Sequence, residues 1–315
     1  MRAFVAGATG VLGRRLVREF CARGHAVVGL TRNERGDDMV RLFGGDPRRA
    51  DLFDPESLAR AAEGCEVVVH AATAIPTKVR TGPSDWTMND RIRREGTRAL
   101  TAAAGKVGAR VYLQQSVAWV IRPPDGGPYD EDSPPNPDRI LASAVEGERI
   151  ARDAGERFSM VAGVLRCGLF YSADSAHTRT MGDGLLRRRG PIIGTGECVW
   201  SIVHVDDAAS AFVAAAESSR SGLWHVVDDQ PVTVAELLRA FAERLGAPAP
   251  RRVSPWLARL FVGRETEDFF LRPFRTSNAR FRRDVGWAPR FPTYREGLDE
   301  IVAAWRAEGA FGLEH

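Results

Sequence analysis

Gly7-Ala8-Thr9-Gly10-Val11-Leu12-Gly13 follows the short apolar run Ala3–Ala6 and opens a helical pattern over Val11–Arg23. The position of this stretch gives it meaning. Gly7 permits a tight strand-to-helix turn, Gly10 admits a close ligand without a Cβ clash, and Gly13 lets the helix pack onto the strand. The backbone N–H groups of Thr9, Val11 and Leu12, at the positive end of the helix dipole, then face an anion. Glycines at this spacing are a weak signal alone; between a strand and an amphipathic helix they predict a seat for the pyrophosphate of a dinucleotide.

The second strand ends in Gly29-Leu30-Thr31-Arg32. A site for NAD places an acid near here to accept the ribose hydroxyls, whereas a site for NADP places an arginine for the 2′-phosphate. No acid occupies positions 29–32. Arg32, with Arg35 as a second candidate, offers a charge-assisted phosphate contact and points to NADPH. The alternative is a solvated loop arginine in an arginine-rich chain.

Working outward, near-continuous apolar runs at Ala3–Ala6, Ala26–Leu30, Val67–His70 and 110–113 suit parallel strands buried on both faces. Helical patterns at Val11–Arg23, Pro55–Glu63 (with Asp54 as N-cap), 84–104 and 138–154 separate them, and a further strand lies near 158–166. The alternation predicts an α/β fold with a doubly wound parallel sheet and a smaller C-terminal α/β domain. The expected division is a Rossmann domain over 1–165 plus about 201–227, and a substrate domain over about 166–200 and 228–315, with a glycine- and arginine-rich lid-like segment at 172–200.

Composition excludes several classes. Lys+Arg 44 nearly balances Asp+Glu 41, which argues against a dedicated nucleic-acid surface. The four scattered cysteines form no CxxC pair and suit a reduced, cytoplasmic chain. The N-terminus has no signal-peptide pattern, and no apolar run approaches the ~20 residues of a membrane span. No His/Cys/carboxylate spacing suggests a metal. The expected partner is a small molecule; oligomeric state is not legible.

With these residues in view, the chain resembles an extended short-chain dehydrogenase/reductase, the group that includes nucleotide-sugar epimerases and dehydratases. The likeness runs over nearly the whole chain and rests on the glycine turn, Asp51-Leu52, His70-Ala71-Ala72-Thr73, Val111-Tyr112-Leu113-Gln114-Gln115-Ser116, Val203–Ala208 and Val285–Pro289. It implies contacts to the cofactor from Asp51, Leu52, Ala71, Ala72, Thr73 and Cys167, and a catalytic role for Ser116 at the end of the fifth strand.

The resemblance also implies a catalytic Tyr with a Lys four residues later, and here the chain departs from the pattern. With Glu148 setting the register, the two positions are Ile140 and Ala144. The four tyrosines, 112, 129, 171 and 294, are followed four residues on by Ser116, Ser133, Ser175 and Leu298, so the pair stands nowhere else. A ketone that gains hydride must gain a proton, and a positioned acid contributes ~10²–10⁴-fold. Isoleucine has none to give. Three readings follow: a non-catalytic cofactor sensor, an isomerase or cyclase, or a reductase whose proton comes from water or substrate. The last, which the residues favour, resembles the atypical ketoreductases of aromatic-polyketide antibiotic pathways. A carbonyl beside a phenol supplies its own acid, and Gln115, Ser116, Trp119, Ile140 and Tyr171 are the expected substrate contacts.

Overall fold

In the computed structural model, which describes residues 1–76, 80–263 and 269–309, seven parallel strands form one sheet. β1 (Arg2–Ala6), β2 (Ala26–Thr31), β3 (Asp46–Arg49), β4 (Val67–His70), β5 (Val111–Val117) and β6 (Val161–Cys167) are joined by a last strand, Gly222–Val226. Across the sheet the order is Gly222–Val226, β6, β5, β4, β1, β2, β3. The chain therefore reverses direction of travel between β1 and β4, the switch point where open α/β sheets bind ligands. Ala6 pairs with His70 and His70 with Gln114, which brings the carboxyl ends of β1, β4 and β5 to one edge.

The expected strands are present, with β5 running on to Val117. α1 (Val11–Ala22) and α3 (Pro55–Ala61) match their patterns, and the Asp54 side chain caps α3 by accepting from Glu56 N at 2.9 Å. The sequence reading assigned nothing to 34–49, where the structure forms α2 (Glu34–Leu42) and β3. β3 reads Asp-Pro-Arg-Arg and carries no apolar signal, because it lies at the sheet edge, where proline and charge are tolerated.

Two helices differ from expectation. The pattern over 84–104 is a broken run: a 3₁₀ turn Pro83–Trp86, α4 (Thr87–Arg91), a π-helical turn Ile92–Gly96 and α5 (Thr97–Lys106). The helix expected from 138 starts later, as α6 (Ala142–Phe158), with residues 139–141 in a turn ahead of it. Both departures fall at the site described below.

Separate apolar clusters cover the two faces of the sheet: one with α1 and α8 (Val205–Ser218), the other with α3, α5 and α6. A third core joins Val117–Ile121, Leu141 and Ala144 to β7 (Leu169–Tyr171), α9 (Val234–Leu245) and the helix Tyr294–Ala307. The segment after β7 contains α7 (Ala176–Leu186), so part of the expected lid is an ordered helix. The two late sequence motifs meet: Trp287 Nε1 donates to Ser210 Oγ at 2.9 Å, and Asp207 accepts from the backbone of Arg290 and Phe291.

Candidate active site

Gly7 has φ of +89°, and a Cβ there would lie 2.6 Å from the backbone of Ala71 and Ala72. A Cβ on Gly13 would lie 1.9 Å from the Gly7 carbonyl oxygen. Only glycine fits either position. Gly10 precedes α1 in an extended conformation, and no side chain caps the helix. The first N–H groups of α1 are thus offered to an anion beside Ala71 and Ala72. The cradle fits a dinucleotide pyrophosphate, and Gly7, Thr9, Gly10, Val11, Leu12 and Gly13 are the residues that would hold it. Just beyond, Arg14 and Arg15 both donate to Asp174, at 2.5 and 2.7 Å, tying the start of the lid-like segment to the phosphate helix. Burial opposes ionisation of Asp174, but the Arg15 hydrogen bond and the charges of both arginines bring its carboxyl down to about 2.

At the end of β2, the nearest acid is already engaged. Thr31 Oγ1 donates to Asp37 at 2.5 Å, and Arg49 grips the same carboxylate at 3.0 and 2.6 Å. Arg32 and Arg35 are exposed. The start of α2 lies against the phosphate loop, since a Cβ on Gly36 would meet Thr9 Cγ2 at 3.3 Å.

Ser116 does not present a free hydroxyl to a cleft. It is 4% exposed, and its Oγ donates to Glu148 Oε1 at 2.5 Å. Glu148 in turn is gripped along one edge by Arg166, with Nε and Nη2 donating at 2.9 and 2.6 Å. All three groups are buried. This removes the ground for treating Ser116 as a hydrogen-bond donor to a carbonyl substrate: the hydroxyl is satisfied by an ion pair reached across 32 residues of sequence. The neighbouring Gln115 is half-buried and, by strand alternation, faces the opposite side of the sheet.

Ile140 is half-buried in the turn before α6, and Ala144 is buried within the third core. The turn is pinned from both sides. Asp138 Oδ1 accepts from Ile140 N at 3.0 Å and Leu141 N at 3.1 Å, while Arg93 Nη1 donates to the Ile140 carbonyl at 3.3 Å. Arg93 stands on the π-helical turn, which directs its guanidinium toward Ile140, and burial pulls that group down to about 10. Unbroken helices rarely contain such turns, which recur at functional sites. Sequence reasoning missed Arg93, because nothing local links it to a residue 47 positions away.

The other expected contacts divide. Ala71, Ala72 and Thr73 follow β4 beside the glycine turn, and Thr73 is exposed. Leu52 packs toward Gly96 and Asp51 is exposed, its carboxylate accepting from Phe53 N. The Cys167 side chain is wholly buried in the main core, so only its backbone is available to a ligand. Tyr171 is buried against His204, with ring centroids 5.3 Å apart, and its ring fills the space above Gly297; it is a core residue, contrary to expectation. Trp119 is half-buried and packs on Phe269 and Phe274. His70, at the end of β4, accepts from Ala72 N, and burial holds its imidazole down to about 4, so it is neutral. Among the described residues no group of three or more His, Cys, Asp or Glu side chains is arranged to hold a metal ion, and no helix is long and apolar enough to cross a membrane.

The glycine cradle, the switch-point sheet and the later motifs define a nicotinamide-dependent oxidoreductase of the extended short-chain dehydrogenase/reductase type. The model of the NAD dependent epimerase/dehydratase family matches residues 3–226, and the chain belongs to that family. It is 36% identical over 311 residues to a 3-diazoavenalumate denitrifying reductase from Streptomyces sp, with 95% of this chain and 99% of that protein covered. It is 27% identical over 340 residues, with 96% of each covered, to a 4-hydroxy-2-methyl-3-oxo-4-farnesyl-3,4-dihydroquinoline-1-oxide ketoreductase from Stigmatella aurantiaca. Among solved structures, a dTDP-glucose 4,6-dehydratase from Streptomyces venezuelae, with NAD and TYD bound, superposes with a TM-score of 0.79 at 22% identity, covering 99% of this chain and 98% of the other. The human epimerase family protein SDR39U1 with NADPH gives 0.80 at 22% identity, covering 96% and 99%.

Proposed function

We propose that this chain is an NADPH-dependent reductase of an aromatic substrate that takes hydride without an acid from the protein. The observation that carries the reading is the turn at Ile140. An apolar side chain and buried Ala144 stand where the family's Tyr and Lys are expected, and the Ser116 hydroxyl is held by Glu148. Bound NADPH supplies the hydride. The chain's own residues seat the phosphates on the glycine turn, offer Arg32 and Arg35 to the 2′-phosphate, and place Ile140 as an apolar wall for a flat ring.

The acceptor must then solve the proton problem itself. An aromatic diazonium carbon that gains hydride expels dinitrogen: the carbon–nitrogen bond breaks, its electron pair leaves with the nitrogen, a carbon–hydrogen bond replaces it, and no proton is consumed. The 36% identity to a denitrifying reductase of a diazo compound favours this acceptor. A ketone beside a phenol, as in an aromatic polyketide of antibiotic biosynthesis, is the second acceptor class, favoured by the ketoreductase relative. There the phenol supplies the proton. Either reaction suits a cytoplasmic enzyme with access to NADPH.

The test is NADPH oxidation with three acceptors: an ortho-diazophenol, a hydroxylated aromatic ketone and its phenol-methylated analogue. We expect dinitrogen and NADP⁺ in equal amounts from the first, and a lower rate on the methylated ketone than on its parent. Oxidation of NADPH with none of them, despite tight NADPH binding, overturns the proposal.

A further inference from the structure

Arg122 follows β5 and lies beside the Ile140 turn, yet its guanidinium is poorly satisfied. It is 8% exposed, and its Nε and Nη2 have no hydrogen-bond partner among the described residues. Asp138, the nearest carboxylate among the described residues, is 4.0 Å from Nη1 and already spends Oδ1 on the Ile140 and Leu141 N–H groups. Arg272 adds a like charge nearby. Burial lowers the guanidinium's affinity for its proton, and Asp138 only partly offsets this. A buried charge with two idle donors is costly, and the fold holds it in place: Asn136 Nδ2 donates to the Arg122 carbonyl at 2.9 Å.

The identity of the two idle atoms is informative. Nε and Nη2 form the parallel-donor edge of a guanidinium. Elsewhere among the described residues the same edge grips a carboxylate, as in Arg166 on Glu148, at 2.9 and 2.6 Å, and Arg49 on Asp37, at 3.0 and 2.6 Å. In Arg122 the edge has no such partner among the described residues, and two aromatic rings lie beside the guanidinium. The guanidinium carbon is 5.3 Å from the Phe269 ring and 5.8 Å from Phe274, both of which pack against Trp119. A planar anion flanked by ring faces fits both the donors and the walls.

We infer that Arg122 is the specificity-determining subsite for a carboxylate borne by the aromatic substrate, which Phe269, Phe274 and Trp119 hold flat beside the Ile140 wall. The inference rests on the reductase reading for its substrate and deepens it, by assigning an aryl carboxylic acid rather than a neutral aromatic. Carboxylate and guanidinium pair through two parallel N–H···O bonds, and Asp138 remains on the turn.

Binding, without turnover, tests it. Calorimetric titration of the NADP⁺-loaded enzyme with 2-naphthoate and with 2-naphthamide is expected to show the acid binding roughly ten- to a hundredfold more tightly, the scale of a charge-assisted bidentate pair. In Arg122→Gln that preference is lost while NADP⁺ affinity is unchanged. Arg122→Lys, which keeps the charge but not the two-donor edge, keeps only part of it. Circular dichroism and melting of each variant check that it folds; should Arg122→Gln not fold, Arg122→Lys carries the comparison. Equal binding of acid and amide by the wild-type enzyme, or a preference undiminished in the folded variants, overturns the assignment. If naphthoate binds through Arg122 but no aromatic acceptor oxidises NADPH, the subsite stands and the reductase reading falls.

Discussion

Ser116 Oγ donates to Glu148 Oε1 at 2.5 Å, inside a pocket that Arg166 closes from the other side. The hydroxyl is therefore a member of a buried ion-pair network, and its expected importance is structural. Ser116→Ala should cost about 1 kcal/mol of stability, the net worth of one hydrogen bond, and change kcat by no more than about threefold, far short of the ~10²–10⁴-fold a positioned acid contributes. Glu148→Ala strands Arg166 in the core and should cost about 3–5 kcal/mol. Denaturant melts and initial rates on the two variants check both halves.

Rebuilding the family's pair should fail. Ile140 lies in a turn pinned by Arg93 and Asp138 rather than on the helix that carries Ala144, so the two side chains do not share a helical face four residues apart. Ala144 is also 5% exposed among apolar neighbours. Ala144→Lys buries an ammonium there and should lower stability by at least about 2 kcal/mol. The double variant Ile140→Tyr/Ala144→Lys should gain no activity on a simple ketone; a large gain would mean that the turn tolerates the acid after all.

Cofactor choice is tested at the end of β2. Asp37 is occupied by Thr31 and Arg49, and on the proposed reading the exposed Arg32 and Arg35 receive the 2′-phosphate. Arg32→Ala should weaken NADPH binding roughly tenfold or more, one charge-assisted contact, and leave NADH binding within about twofold. Equal losses for both cofactors would assign Arg32 a structural role.

Asp228 sets a pH dependence. Burial, opposed by a hydrogen bond from Gln230 N and reinforced by Asp229, Asp207 and Glu296, pushes its carboxyl up to about 9. Between the unfolded value of 3.8 and that folded value, the native state binds the extra proton, so this group makes stability fall as pH rises through the window. Asp228→Asn should flatten that slope and, at neutral pH, raise stability by about 1–3 kcal/mol, the cost of an unsatisfied buried polar group. Chemical denaturation of both proteins from pH 5 to 9 reads it directly.

Much of this frame is legible in the sequence. The glycine turn, the apolar strands and the Asp54 cap are local signals, set by backbone freedom and burial, and each sits where its residues predicted. β3 was not legible, because an edge strand needs no apolar run. The site was only half legible. The loss of Tyr and Lys could be read by register, but Glu148 lies 32 residues from Ser116 and Arg93 lies 47 from Ile140, and side-chain pairing at such range leaves no periodic trace. Tyr171 was ambiguous for the same reason: an aromatic near a strand end reads alike whether it faces a ligand or, as here, the ring of His204.

The claim at the centre is that no group on the protein donates a proton in the reaction. The direct measurement is the rate of NADPH oxidation on the diazophenol in H₂O and in D₂O. A solvent isotope effect close to one is predicted, with product carrying the cofactor's hydrogen at the carbon that lost dinitrogen. An effect of about twofold or more that vanishes when a titratable residue of the enzyme is replaced would contradict it, by exposing a proton transfer from the protein in the rate-limiting step.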